Sequence, residues 1–493
     1  MKTYHLILPF ALACNSAVAQ NLASGLKLDA EVSATGSSGD YAPLWLSSNR
    51  YGASSTDSWN GIQRMKISRS ADSDSLRNWK YEYALDFFLA EKGLSVFNLQ
   101  QAYIKTAYKK FGVTVGAKEM PLVMKNAELS SGGLCYGINA RPIPQVSLDV
   151  DYFSIPFTNS WWKWKAHLSY GFTTDGKWQK SFAADGTNYT SNTLYHEKAL
   201  YWKFGKENHP IVPLTYEIGI QMANQFGGTG YNVAGRTLQG KTDLKFGHAF
   251  SDYIDALLCT GSDITDGTEP NTAGNHTGSY NMALAWHAKT WTVRAYFERY
   301  FEDQSMLTVQ YGIQDHLLGV EAELPHNPFV TGVVVEHINT KSQSGAVYHD
   351  RTESIPDKMN GRDNYYNHSL YSGWQHWGQA IGNPLLTSPI YNTDGMIEFK
   401  NNRIKGWHIG LCGDPTADIH WRLLVSITHN WGTYIRPCSD VISQQYLLAE
   451  IGWRPARFCG WSGKLAFGYD YGKVLGNSFG TQLSIHKTFT LVK

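Results

Sequence analysis

No stretch of this sequence comes near the ~18 consecutive apolar residues that a membrane-crossing helix needs. The mean hydropathy of −0.34 likewise excludes a bundle of such helices. Charge is scarce: Asp, Glu, Lys and Arg make up 17% of the 493 residues, and 43 basic side chains nearly cancel 42 acidic ones. The chain therefore lacks the basic excess of a nucleic-acid binder. Cysteine is rare, with six residues widely spaced, no C-x-x-C pair and no dense disulfide framework. The 17 histidines include no H-E-x-x-H and no clustered ligand spacing, so no metal, cofactor or catalytic residue is expected. Low-complexity blocks and linkers are missing too, and aromatic residues spread along the whole chain exclude disorder.

What is abundant is aromatic side chains, 21 Phe, 17 Trp and 29 Tyr, together with 46 Gly. The dominant pattern has period two. In 79–89, Trp79, Tyr81, Tyr83, Leu85, Phe87 and Leu89 alternate with Lys80, Glu82, Ala84, Asp86 and Phe88. In 421–431, Leu423, Val425 and Ile427 alternate with Arg422, Ser426 and Thr428. The segments 291–298 and 464–471 repeat the arrangement. Alternation over about ten residues with polar groups on the second face is the signature of a transmembrane antiparallel β-barrel, with lipid outside and a polar lumen inside. About nineteen such segments follow residue 62. The gaps between them are short near 155–163, 206–212, 250–252, 289, 325–327 and 412–418. They are long near 119–145, 173–196, 223–239, 262–277, 301–315, 341–397 and 432–443. Short periplasmic turns and long external loops predict this parity. An even number is the rule for such barrels, so 18 strands are expected, or 20 if Leu26–Ala34, which also alternates, is another.

The N-terminus reads as an export signal: Lys2, an apolar stretch from Tyr4 to Ala13, and Ala17-Val18-Ala19 before Gln20. Residues 1–19 are assigned to it, 20–61 to an N-terminal segment inside or beneath the barrel, and 62–493 to the barrel. The outer membrane is the expected location, with lipid as a partner and a monomer as the state. Of the five cysteines beyond the signal, one pair could bridge, and the sequence does not say which.

Several motifs match without their context. Gly235–Thr242 fits the phosphate-loop pattern, yet Leu244, Phe246, His248 and Phe250 then alternate like a strand where a helix is required. Gly476-Asn477-Ser478-Phe479-Gly480 fits a nucleophile elbow but joins two strands. Asp149 and Asp151 share one strand face and read as lumen-facing. Trp161, Trp162 and Trp164 read as an interface girdle in preference to a sugar platform.

Residues 341–397 do not fit the strand pattern. They hold Arg362, Tyr371, Trp374, Gln375, His376, Trp377, Gln379 and Asn383, rings among amides and charges. Rings stack on sugar C–H faces while planar amides bond hydroxyls in fixed directions. The segment is either a lumen plug or a plug that also contacts glycan. Tyr365 to Pro384, with Gly373-Trp374-Gln375-His376-Trp377-Gly378-Gln379 and Gly382-Asn383-Pro384, resembles the capsule assembly Wzi family. So do Ser131-Gly132-Gly133 with Asn139–Gln145, Pro43–Gly52 and Leu194–Lys198. The resemblance runs from about residue 40 to the C-terminus. It implies an 18-stranded outer-membrane barrel with a blocked lumen and a lectin-like, non-enzymatic role in attaching capsular polysaccharide. Some members of that family carry a helical bundle at the periplasmic end, but residues 20–61 show no helical periodicity. Arg362, Trp377, Gln379, His376 and Asn383 are the glycan-contact candidates, and Trp374, Tyr371 and Arg141 the plug residues. An oligosaccharide porin and an outer-membrane hydrolase are the alternatives.

Overall fold

The computed structural model describes residues 22–92, 95–233, 243–261, 274–302, 314–348 and 359–492, with side chains over all of these except 344–348 and 359–362. Eighteen antiparallel strands form one sheet. They are β1 (Lys27–Tyr41), β2 (Asp57–Arg69), β3 (Trp79–Ala90), β4 (Phe97–Tyr108), β5 (Phe111–Ala117), β6 (Gln145–Ser154), β7 (Trp162–Phe172), β8 (Leu194–Gly205) and β9 (Leu214–Phe226). There follow β10 (Asn275–His287), β11 (Thr292–Glu302), β12 (His316–Glu323), β13 (Gly332–Asn339), β14 (Ile404–Thr416), β15 (Ile419–Gly432), β16 (Pro437–Trp453), β17 (Trp461–Gly472) and β18 (Ser478–Thr490). Each strand pairs with the next, and β1 pairs with β18 from Lys27 opposite Thr490 to Ser37 opposite Gly480. Closure leaves the sheet without an edge strand, the condition for putting it into hydrocarbon.

Alternation sorts the side chains as the sequence predicts. In β15, Ile427 is 43% exposed on the outer face while Ser426 and Thr428 are completely buried inside. In β3, Leu85 and Leu89 point out, and Ala84, Asp86 and Phe88 point in. Exposed rings collect near the short-turn rim: Trp79, Tyr108, Phe111, Trp161, Trp291, Trp453 and Trp461. Trp161 and Trp162 pack against Phe204 at 5.9 Å on this outer belt, as a girdle does.

The connections 70–78, 109–110, 155–161, 206–213, 288–291, 324–331, 417–418 and 454–460 share one end with both chain ends. The long ones, 42–56, 118–144, 173–193, 227–274, 303–315 and 340–403, share the other.

Three expectations change. The boundary at residue 62 falls inside β2, and residues 27–41 are wall rather than a segment within or beneath it. The alternation of β1 is masked in its second half by Gly36, Ser37, Ser38 and Gly39, which carry no apolar group. Trp59 of β2 supplies it, its ring lying where a Cβ on Gly36 would sit 2.8 Å away. Residues 250–252 are not a turn but start a helix, Phe250–Leu258. This helix lies against the outer wall: Tyr170 Oη donates to Tyr253 O at 2.8 Å, and the Tyr253 ring meets Phe226 at 5.2 Å. The gap near 432–443 is only 433–436, because β16 begins at Pro437. The phosphate-loop match and the signal segment fall outside the described residues, while Ser478 of the other motif opens β18 and donates to Tyr41 O at 2.8 Å.

Candidate functional site

The lumen is filled on the long-loop side by residues 42–56, 118–144 and 363–403. Irregular backbone buried inside a barrel must find partners for its N–H groups. Wall carboxylates provide them. Glu298 of β11 accepts from the Leu134 and Cys135 N–H groups, both at 3.0 Å, and pairs with Lys125 at 2.8 Å. Glu336 of β13 accepts from Ser131 N–H at 2.8 Å and from Tyr296 Oη at 2.6 Å. Glu302 accepts from Tyr366 N–H at 2.6 Å, and Asp470 from Leu44 N–H at 2.9 Å. Apolar side chains from plug and wall then make one core, with Trp45, Leu129, Leu134, Tyr366, Trp374 and Phe399 meeting Tyr195, Tyr300 and Leu448.

Trp374 is completely buried, donates Nε1–H to Cys135 O at 2.6 Å and stacks on Tyr195. Tyr371 is buried and stacks on Phe246 at 4.7 Å. Arg141 is buried between Phe88 and Trp377, 5.4 and 4.4 Å from their ring centres, and donates to Asn98 Oδ1 at 3.0 Å. Loss of water pulls its pKa down to about 10 against the opposing field of Asp175. All three side chains are buried among the inserted segments.

The glycan-contact candidates divide. His376 is fully buried: Nε2 accepts from Thr174 N–H at 3.1 Å, which leaves Nδ1–H to donate to Arg141 O at 2.8 Å. Burial pulls its pKa down. Asn383 is also fully buried, receiving Leu385 N–H and donating to Ser131 Oγ at 3.2 Å. Both side chains spend their hydrogen bonds inside the protein. Gln379 is 5% exposed, with Oε1 unpartnered within the plug. Among the described candidates, Trp377 is the one that is more than slightly exposed. It sits half-buried at the tip of the hairpin pairing Gln375–His376 with Gln379–Ala380. The Arg362 side chain lies outside the described ones.

The open site lies beside these residues. A cavity of about 620 Å³ opens among the long loops, lined by Asn188, Asn232, Asn364, Asn367, Lys400 and Arg436 around Tyr371 and Phe399. Asn188 Oδ1 has no partner there, while Asn367 is clamped between Phe399 N–H and Phe399 O, at 2.8 and 2.9 Å. Arg436 pairs with Glu398 and remains half-exposed. The cavity offers rings, amides of both polarities, the ion-paired cations Lys400 and Arg436 and the acidic residues Glu302, Asp363 and Glu398, a set that bonds hydroxyl-rich groups. The sequence points to Arg362 and to 376–383, and the cavity is lined by residues between these two groups. The signal for 363–371 was present in Asp363-Asn364 and Asn367-His368, but Asn188, Asn232 and Arg436 come from other loops that only the fold brings together.

No family model matches the chain, and no curated protein matches it. Solved structures do. The chain is similar to Wzi, a carbohydrate-binding outer-membrane β-barrel involved in group 1 capsule assembly in Escherichia coli, with a TM-score of 0.55 and 13% identity over 96% of this chain and 87% of that one. OccK3 (OpdO) of Pseudomonas aeruginosa matches at a TM-score of 0.47 and 11% identity, covering 97% of this chain and 100% of that one. OccK5 (OpdH) of the same organism matches at 0.47 and 8%, covering 94% and 98%. The fold is therefore that of the outer-membrane β-barrels, in an 18-stranded form with an occupied lumen.

Proposed function

We propose that this barrel binds surface polysaccharide at the long-loop cavity and helps hold a capsule at the cell surface, as a lectin and without chemistry of its own. The observation that carries the reading is the pairing of a packed plug with an open, amide- and cation-lined cavity on the loop side. A plugged lumen suits capture better than passage. The fold likeness to a carbohydrate-binding barrel adds support. One weak sugar site suffices, because many barrels can engage one long repeating polymer and gain avidity.

The test has two arms. In planar bilayers the purified protein is expected to show almost no ion conductance, whereas an oligosaccharide porin would conduct. On cells, Arg436→Ala with Asn367→Ala is expected to leave total polysaccharide unchanged and shift it from cell-bound to free. A double variant that retains its polymer moves the site elsewhere, and a deletion that abolishes polymer altogether replaces attachment with synthesis or export.

A further inference from the structure

We propose that Glu128, Cys412 and His420 form a divalent-metal site, suited to Zn²⁺, that clips the plug to the wall at the short-turn mouth of the barrel. Their ligand atoms lie within 4.8 Å of one another. Cys412 and Asp414 end β14 and His420 begins β15, across the turn at 417–418. Alternation from buried His408 turns Cys412 and Asp414 inward, and alternation from buried Ser426 does the same for His420. Glu128 comes from the plug, where Asn126 Oδ1 accepts from the Glu128 and Leu129 N–H groups, at 2.9 and 3.0 Å, and fixes the turn that presents it.

The histidine is set as metal-bound histidines are. Its Nδ1 lies 2.7 Å from Asp414 Oδ1, and Thr331 Oγ1 steadies that carboxylate at 3.1 Å from the other oxygen. A carboxylate behind the ring orients it and makes the far nitrogen a better donor. That far nitrogen, Nε2, faces Glu128 Oε1 at 2.7 Å. Without metal, a proton between them joins the two. Zinc replaces it: Zn²⁺ takes the Nε2 lone pair and the thiolate sulfur, and the Nε2 proton and the Cys412 thiol proton leave to water. Zinc bonds of ~2.0–2.3 Å need ligand atoms roughly 3.3–3.8 Å apart. Glu128 and His420 are 43% and 37% exposed at their side chains, so both can make a shift of under about 1 Å. The fourth position faces the mouth and takes water. A thiolate, an imidazole and a carboxylate together select a borderline metal over Mg²⁺ or Ca²⁺. The positions 128, 412 and 420 are scattered along the chain, so no ligand spacing could announce them.

Cobalt(II) tests this, because thiolate-bound Co²⁺ absorbs in the near ultraviolet. Titrating the purified barrel in detergent is expected to raise a charge-transfer band saturating at one equivalent and bleached by Zn²⁺. Cys412→Ser should remove the band, while Cys438→Ser with Cys459→Ser, the more accessible thiols, should keep it. Asp414→Asn should weaken cobalt binding roughly 10–100-fold, and Glu128→Gln at least tenfold. Glu128→Gln, an isosteric change on a half-exposed side chain, decides the matter if Cys412→Ser does not fold. No band in the wild type, a band surviving Cys412→Ser, or unchanged affinity in Glu128→Gln would overturn the site and leave His420 as an ion tie between two carboxylates.

Discussion

The two halves of the lumen use the same residue types to opposite ends. On the long-loop side, wall carboxylates Glu298, Glu302, Glu336 and Asp470 bond plug N–H groups, with aromatic and aliphatic side chains packed between them. Toward the short turns, wall carboxylates meet wall cations instead. His167 meets Asp149 at 2.7 Å, Lys203 meets Glu217 at 2.9 Å and Arg294 meets Glu321 at 2.6 Å, while Arg64 joins wall Asp86 to Glu119 of the inserted 118–144 segment. A charged cavity of about 320 Å³ remains there, lined by Asp29, Glu31, Arg64, Lys66, Glu119 and His486. The difference follows from what enters. Where a loop is inserted, its backbone needs acceptors and the carboxylates serve it. Where little of it reaches, cross-strand charges satisfy one another, and Glu119 and Glu128 of the inserted 118–144 segment join them.

The largest effect is expected where the filled half is packed tightest. Trp374→Ala removes a fully buried ring and leaves Cys135 O without its donor, at a cost of about 3–5 kcal/mol within the plug. The wall closes independently through its ladder, so the variant should still migrate as a heat-modifiable barrel while conducting ions in planar bilayers. A Trp374→Ala barrel as silent as the wild type would mean that the plug does not depend on this core.

The wall should answer differently. Val425→Arg places a charge on the lipid face and should cost roughly 2–4 kcal/mol near the midplane, lowering the heat-modifiability temperature without opening the lumen. The neighbouring lumen positions, Ser426 and Thr428, should accept polar changes with smaller effect. Cysteine labelling with a membrane-confined reagent checks the orientation: label at 425 and 427 but not at 426 and 428 is expected.

These contrasts also mark how far the sequence could be read. The wall was legible because lipid on one side and protein on the other impose period two strand by strand, as in 79–89 and 421–431. It failed at β1, where Gly36 and Gly39 break the alternation and a neighbour's Trp59 fills in, and at Phe250, where a short apolar series fits helix and strand alike. The plug was legible only as an exception. Nothing local says that Glu298 will accept from Leu134 and Cys135, because those bonds join residues 164 and 163 apart in sequence. The same distance problem explains why His376 and Asn383, polar and flanked by rings, read as sugar contacts when their partners are Thr174, Arg141 and Ser131.

His376 gives the filled half a pH dependence. Its ring must be neutral, since Nε2 accepts a backbone N–H, and its pKa lies below the ordinary value of about 6.5 because of burial. The neighbouring charges are Asp175, which opposes the shift, and Arg141, which adds to it. As pH falls below about 6.5 the unfolded chain takes up the proton first, so stability is full above that pH and declines beneath it. Bilayer conductance is expected to rise on acidification, and His376→Gln, which stays neutral, should flatten that rise. An equal rise in both would assign the acid response to the charged half.

The smallest effect on folding belongs to the hairpin tip. Trp377 and Gly378 both have positive φ, 56° and 77°, as a two-residue hairpin turn with matching twist requires. Asn suits that conformation and a bulky ring does not, so the ring is held against a local penalty of roughly 1–2 kcal/mol by its stacking on Arg141 and its bond to Thr174. Trp377→Asn exchanges relief of strain for loss of stacking and should leave heat-modifiability and conductance within experimental scatter. Its effect on cell-bound polysaccharide then separates two sites. If binding is confined to the cavity at Asn367 and Arg436, retention is unchanged. If the exposed edge of Trp377 also stacks on sugar, retention falls while folding does not, and the contact surface extends from the cavity across the hairpin tip.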